Sequence, residues 1–207
     1  MGVDRARQVL AQEAARIIVE QGIRDYRVAK TKAAERLGMR ERGALPGNNE
    51  IEQALGAHLQ LFGRESHLHL LRVLRRAALS AMQLLDAFAP RLVGPVLNGT
   101  AAANSAINLH VFSDNLEAVA LTLDRHRVPY RLFETRLKSR PNRPESFPGL
   151  RFMHEDAVVE ATVFPLVGVR QAPISPIDGR PMQRADERKV RELLDDEDQP
   201  VAENGCS

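Results

Sequence analysis

Pro90 divides this chain into two patterns of side chains. Before it, apolar residues recur every three or four positions, the spacing that brings them onto one face of an α-helix. Val9, Leu10, Ala14, Ile17 and Ile18 line up behind Asp4 as a candidate cap, which predicts a helix over 5–20 ended by Gly22. A second helix is expected over 25–37, closed by Gly38. A third runs from Glu50 to Phe62, capped by Asn48 or Asn49 after the turn Leu45-Pro46-Gly47. The fourth, over 65–88, carries Leu68, Leu71, Leu74, Ala78, Met82 and Leu85 on one stripe until Pro90, which has no amide proton to continue a helix.

After Pro90 the apolar runs shorten and become turn-bounded, the mark of strands. Leu92–Leu97 and Ile107–Phe112 flank a glycine turn. Ser113 or Asp114 is the expected cap of a helix reaching His126, with Leu116, Val119, Ala120 and Leu123 on one face. Further strands are expected over 128–137, 150–153 and 157–167, the last two joined as a hairpin across His154-Glu155-Asp156. Residues 138–149 read as a basic, Pro-rich loop. Residues 171–181 read as a second Pro-rich segment with an Asp178-Gly179 turn, followed by a short helix over 185–194. Helices first and mostly strands afterwards give an α+β fold, an N-terminal helical region packed on a small mixed sheet. The division expected is 1–64 for the helical region, 65–168 for the core, 169–194 for the Pro-rich segment and helix, and 195–207 for an acidic, disordered tail.

With no Trp and 4% aromatic residues, the core must come from Leu, Val, Ile and Ala. The net charge of +2 excludes little, but its distribution is uneven. Eight Lys or Arg face three acids between Asp124 and Arg151, whereas Glu192 to Glu203 holds six acids and no base. The single cysteine, Cys206, has no partner for an internal disulfide, and the charged N-terminus is unlike a secretory signal. A cytoplasmic protein of bacterial type is expected. No stretch approaches the roughly 20 apolar residues of a membrane span, so no membrane partner is expected.

The segment Pro90-Arg-Leu-Val-Gly-Pro-Val-Leu-Asn-Gly-Thr-Ala-Ala-Ala-Asn-Ser-Ala-Ile-Asn-Leu-His-Val-Phe112 carries the chemistry. It resembles the catalytic signature of the minimal nucleotidyltransferase fold of the DNA polymerase beta superfamily, over residues 66–168. That family's pattern is an apolar run, Gly, a small residue, roughly ten residues, then Asp-apolar-Asp-apolar. Here Gly94, Gly99, Ser105, Ile107 and Leu109 keep the frame. Pro95 replaces the small residue, and Ala106 and Asn108 stand where the two aspartates belong. The resemblance implies a third carboxylate on a neighbouring strand, and Glu160 within Val159-Glu160-Ala161 matches it. In active relatives such carboxylates hold two Mg2+ ions, hard cations that need anionic oxygen. Alanine offers no ligand and asparagine no charge. The resemblance therefore implies a degenerate member, a pseudoenzyme with little or no metal-dependent transfer, and no cofactor is expected. It would bind a nucleotide, RNA or a protein partner. The alternative, an active enzyme, would need Mg2+ on Glu160 together with carboxylates such as Asp114 or Glu134.

Asn108 and His110 alternate on one strand, so their side chains share a face at the old catalytic position. Together with Gly94, Gly99 and Arg170 they are the candidate substrate-binding residues, and Glu160 the candidate catalytic one. The polar stretch Arg170–Arg184 follows Glu160's strand and could fold over the same face; the other reading is a Pro-stiffened connection to the last helix. Arg125, Arg127, Arg131, Arg136, Lys138, Arg140 and Arg143 could attract phosphate, but only Tyr130 and Phe133 lie near enough to stack on bases. His67 and His69 point away from one another on a helix, and no histidine set has metal-ligand spacing. A third reading, a helical nucleic-acid-binding protein, rests on the basic stretch Arg24, Arg27, Lys30, Lys32 and Arg36. That stretch lacks the turn and second half of a recognition unit and is read as a helical cap on the core.

Overall fold

The computed structural model describes residues 3–23, 25–39, 45–61, 64–140 and 143–198. It is an α+β protein, with seven α-helices and a five-stranded mixed sheet among those residues. The first helices are α1 (Val3–Gln21), α2 (Tyr26–Arg36) and α3 (Asn48–Leu61). Leu10, Ala14 and Ile17 of α1, three and four residues apart, bury against Ala29 and Ala33 of α2 and Ile51 of α3. Asp25 caps α2 by accepting the Arg27 amide at 2.7 Å.

Helix α4 (Arg64–Leu84) backs the second and larger apolar cluster. Leu71, Leu74, Ala78 and Met82 are buried, as the stripe in the sequence requires. The helix stops short of Phe88, because the chain tightens into a 3-10 turn over Asp86–Phe88 and Ala89 turns left-handed. Strand β1 is only Arg91–Val93, so the expected strand over 92–97 is corrected. Gly94 and Pro95 explain the break. Pro95 cannot donate to a ladder, and its fixed φ suits the first turn of the helix α5, Pro95–Asn98.

The remaining elements are β2 (Ile107–Phe112), α6 (Leu116–Arg125), β3 (Tyr130–Arg140), β4 (Arg143–His154), β5 (Ala157–Phe164) and α7 (Glu187–Asp198). The sheet order is β1-β2-β5-β4-β3. Only β2 and β5 run parallel; the other neighbours are antiparallel. Asn115 caps α6, accepting from the Glu117 amide, in place of Ser113 or Asp114. Those two are spent elsewhere, Ser113 on the Asn115 backbone and Asp114 on the Leu166 amide.

The basic loop expected over 138–149 is instead a long hairpin, in which Lys138 pairs with Pro144 and Glu134 with Pro148. Two prolines are tolerated because β5 pairs with β4 only over Gly149–His154. Beyond that point one side of β4 is an edge, where an absent N–H costs no ladder bond. Gly149 leaves room for the Phe133 ring, and a side chain there would also stand 2.8 Å from the Ala161 carbonyl oxygen. The acidic tail is corrected in part: Asp195–Asp198 belong to α7, and 199–207 lie outside the described residues.

Alternation gives the sheet two unlike faces. Leu92, Ile107, Leu109, Val111, Val159, Ala161, Leu150 and Phe152 are buried in one apolar cluster with α4 and α6. Each such Leu or Ile contributes on the order of 1.5–3 kcal/mol. The other face carries Asn108, His110, Glu160 and Arg151. A strap over 170–185 crosses this second face. The Ile174 amide donates to the Lys138 carbonyl at 2.7 Å near the β3 edge, and Ala185 exchanges two backbone hydrogen bonds with Leu92 at the β1 edge. Among the described residues no helix is long and apolar enough to cross a membrane.

Candidate functional site

A cleft of about 580 Å3 opens between the second face, the strap and the N-terminal helices. Asn108 and Glu160 form its floor. They are direct partners in the parallel β2–β5 ladder, so their side chains stand together. Gly94, Ala106 and Ser105 line the same wall, and the strap supplies Ser175, Ile177, Asp178 and Met182. Ile18, Tyr26, Glu52 and Leu55 close the far side from the helical region. Asn48, the first residue of α3, donates to the Pro176 carbonyl at 2.8 Å and so ties the helices to the strap.

Gly94 is required by its backbone. Its φ of 72° and ψ of −153° lie where L-residues are strained, and an added Cβ would meet Asn108 Nδ2 at 2.9 Å. The glycine therefore lets the chain turn from β1 into α5 directly against Asn108. Arg75 of α4, itself buried, fixes that turn by donating to the Val96 and Leu97 carbonyls at 3.1 Å each. Gly99 lies at the left-handed end of α5, outside the cleft, and its carbonyl accepts from His67 Nε2 at 2.9 Å.

Glu160 does not stand as a free metal ligand. Its Oε1 lies 3.3 Å from Arg151 Nη2, its neighbour on β4. Half-exposed on the arginine side, such a pair contributes on the order of 0–1 kcal/mol to stability, but it puts a guanidinium where a metal would need to sit. Ala106 and Asn108 both line the cleft and supply no charge. Among the described residues no group of three or more His, Cys, Asp or Glu side chains is arranged to hold a metal ion. Asp114 and Glu134, the other carboxylates considered for an active enzyme, do not line the cleft. Asp114 accepts the Leu166 amide at 3.0 Å, and Glu134 faces Ser146 on the outer strands.

His110 shares the face with Asn108 but is sealed from the cleft. Arg184 Nε donates to His110 Nδ1 at 3.1 Å. An arginine only donates, so this nitrogen carries no proton and the ring is neutral. Burial, with the Arg184 charge adding to it, pulls the imidazole down to about 3. Arg184 also donates to the Gly168 and Val169 carbonyls and lies over the rings of Phe112 and Phe164, 5.0 and 5.4 Å from their centroids. His110 is thus the seat of a clasp that holds the strap down. Arg170 sits exposed after the 3-10 turn Leu166–Val169 and is not in the cleft.

Three residues of the cleft were not legible from sequence. Glu52 accepts hydroxyl protons on both oxygens, from Thr100 at 2.6 Å and from Tyr26. Burial first, then Glu52, pushes the Tyr26 phenol above the usual tyrosine range. Glu52 and Tyr26 look like ordinary helix-surface positions, and only the packing of α2 and α3 against the loop holding Thr100 brings them together. The basic set does not form one patch either. Arg131 stands on the cleft face, whereas strand alternation turns Arg136 and Lys138 to the other. The side chains of Arg140 and Arg143 lie outside the described residues. Searches of protein-family models and of curated proteins find no match to this chain.

Proposed function

We propose that this protein is a nucleotidyltransferase-like binding module whose cleft takes a nucleotide without transferring it. The observation that carries this reading is the convergence of Gly94, Asn108 and Glu160, from three separate segments, on one small-molecule-sized cleft. The arginine on Glu160 and the uncharged Ala106 and Asn108 argue against a two-metal reaction there. The split of the basic residues between two faces gives an RNA backbone no continuous track. Calorimetric titration with ATP, GTP, CTP and UTP, with and without Mg2+, alongside a pyrophosphate assay, tests it. The expected result is metal-independent binding and no pyrophosphate. Metal-dependent binding with release would establish an active transferase and overturn the reading.

A further inference from the structure

The cleft is charged in the wrong sense for a polyphosphate. Among the described residues its lining holds three carboxylates, Glu52, Glu160 and Asp178, and no Lys, Arg or His. The chain as a whole carries +2, so this is a local feature. The acids are also fixed in place. Glu52 accepts from two hydroxyls, Glu160 is paired with Arg151, and Asp178 accepts the Arg180 amide of its own turn at 3.2 Å. Phosphate oxygens brought among them would meet like charge in a partly water-excluded space, where screening is weakest. What the cleft does offer is apolar surface from Ile18, Ile23, Leu55 and Met182, with the side-chain amides of Asn98, Asn108 and Gln183. Such a lining suits a base and a sugar.

Apart from Arg184, which is held on His110, cationic groups on the same face begin one strand farther out. Arg151 neighbours Glu160 on β4, and Arg131 stands directly opposite Arg151 on β3. Like charges opposed on a ladder are destabilising. Glu160 offsets one of them, whereas Arg131 is exposed and makes no hydrogen bond or ion pair among the described residues. Two strand spacings separate the Glu160 and Arg131 columns, roughly 10 Å.

We infer that the cleft is the nucleoside end, and the Arg131–Arg151 pair the phosphate end, of one binding site for a nucleoside phosphate. This rests on the nucleotide reading of the cleft and adds a polarity to it: phosphate outward on β3 and β4, base and sugar inward. The paired arginines gain an anion to separate them, and the cleft acids keep hydroxyl and amide partners.

The test is equilibrium titration of the full chain at fixed ionic strength with nucleosides, their 5′-monophosphates, triphosphates and inorganic tripolyphosphate. Wild type is compared with Arg131→Ala. Arg131 is exposed, so Arg131→Ala is expected to keep the fold, which circular dichroism checks. The expected result is about a tenfold loss of nucleoside phosphate affinity in Arg131→Ala with nucleoside affinity unchanged. Nucleotide binding that is indifferent to Arg131→Ala overturns the polarity while leaving the nucleotide reading intact. Absence of binding by every nucleoside and nucleotide overturns the nucleotide reading itself, and the polarity with it.

Discussion

The two faces of the sheet are built from the same strands and do opposite things. On β2, Ile107, Leu109 and Val111 go into the cluster under α4 and α6, fully buried, while Asn108 and His110 between them face the strap and the cleft. The packed face is apolar at its centre, with the Ser80–His154 hydrogen bond beside it. The other face keeps an asparagine, a histidine, a glutamate and two arginines; the strap holds the histidine through Arg184, and the glutamate pairs with one arginine. The difference teaches that stability and recognition are separable here at the level of alternate residues.

Mutation of adjacent residues is the strongest way to break that comparison. Leu109→Ala is expected to cost about 2–5 kcal/mol of stability, since it leaves a cavity in the packed cluster. Asn108→Ala, one residue away, should cost under about 1 kcal/mol and abolish ligand binding. Urea titration of both variants decides it; equal losses would mean that the cleft face is as tightly packed as the other.

The His110 clasp gives a pH signature. Its imidazole is held far below the usual histidine value when folded, so the unfolded chain binds the extra proton. Stability from this site is complete above the ordinary pKa of about 6.5 and is lost as pH falls toward the folded value, at up to about 1.4 kcal/mol per pH unit. Between pH 6.5 and 4.5 the wild type should therefore weaken with that slope, and His110→Asn, which still accepts from Arg184, should flatten it. Parallel curves for the two proteins would remove His110 from the account.

The smallest expected effect is at Arg151 and Glu160. A double-mutant cycle to alanine should return a coupling on the order of 0–1 kcal/mol, falling with added salt. A coupling above about 2 kcal/mol would mark the pair as a structural element of the cleft floor.

Helix positions were the most legible feature, because three- and four-residue spacing survives in the buried sets of α1 and α4. The alternation of Asn108 and His110 was legible too, whereas the return of the strap over Glu160's face was one of two open readings and packing chose it. Strand extents were not. Pro144 and Pro148 read locally as a loop, and only the absence of β5 beside that stretch of β4 lets them lie in a strand. His110 and Asn108 share a face, yet one is sealed and the other open, because Arg184 arrives from 74 residues away.

Sequence by itself determined the α+β class, the helical N-terminal region, the uncharged residues Ala106 and Asn108, and the candidacy of Gly94 and Glu160. These follow from local periodicity and residue chemistry, which need no partner to be read. Tertiary structure alone decided that Glu160 faces Arg151, that Glu52 and Tyr26 enter the cleft, and that the cleft is acidic. Each of those depends on which distant segments meet. A side chain's charge environment is set by its neighbours in space, and strand pairing and helix packing choose those neighbours.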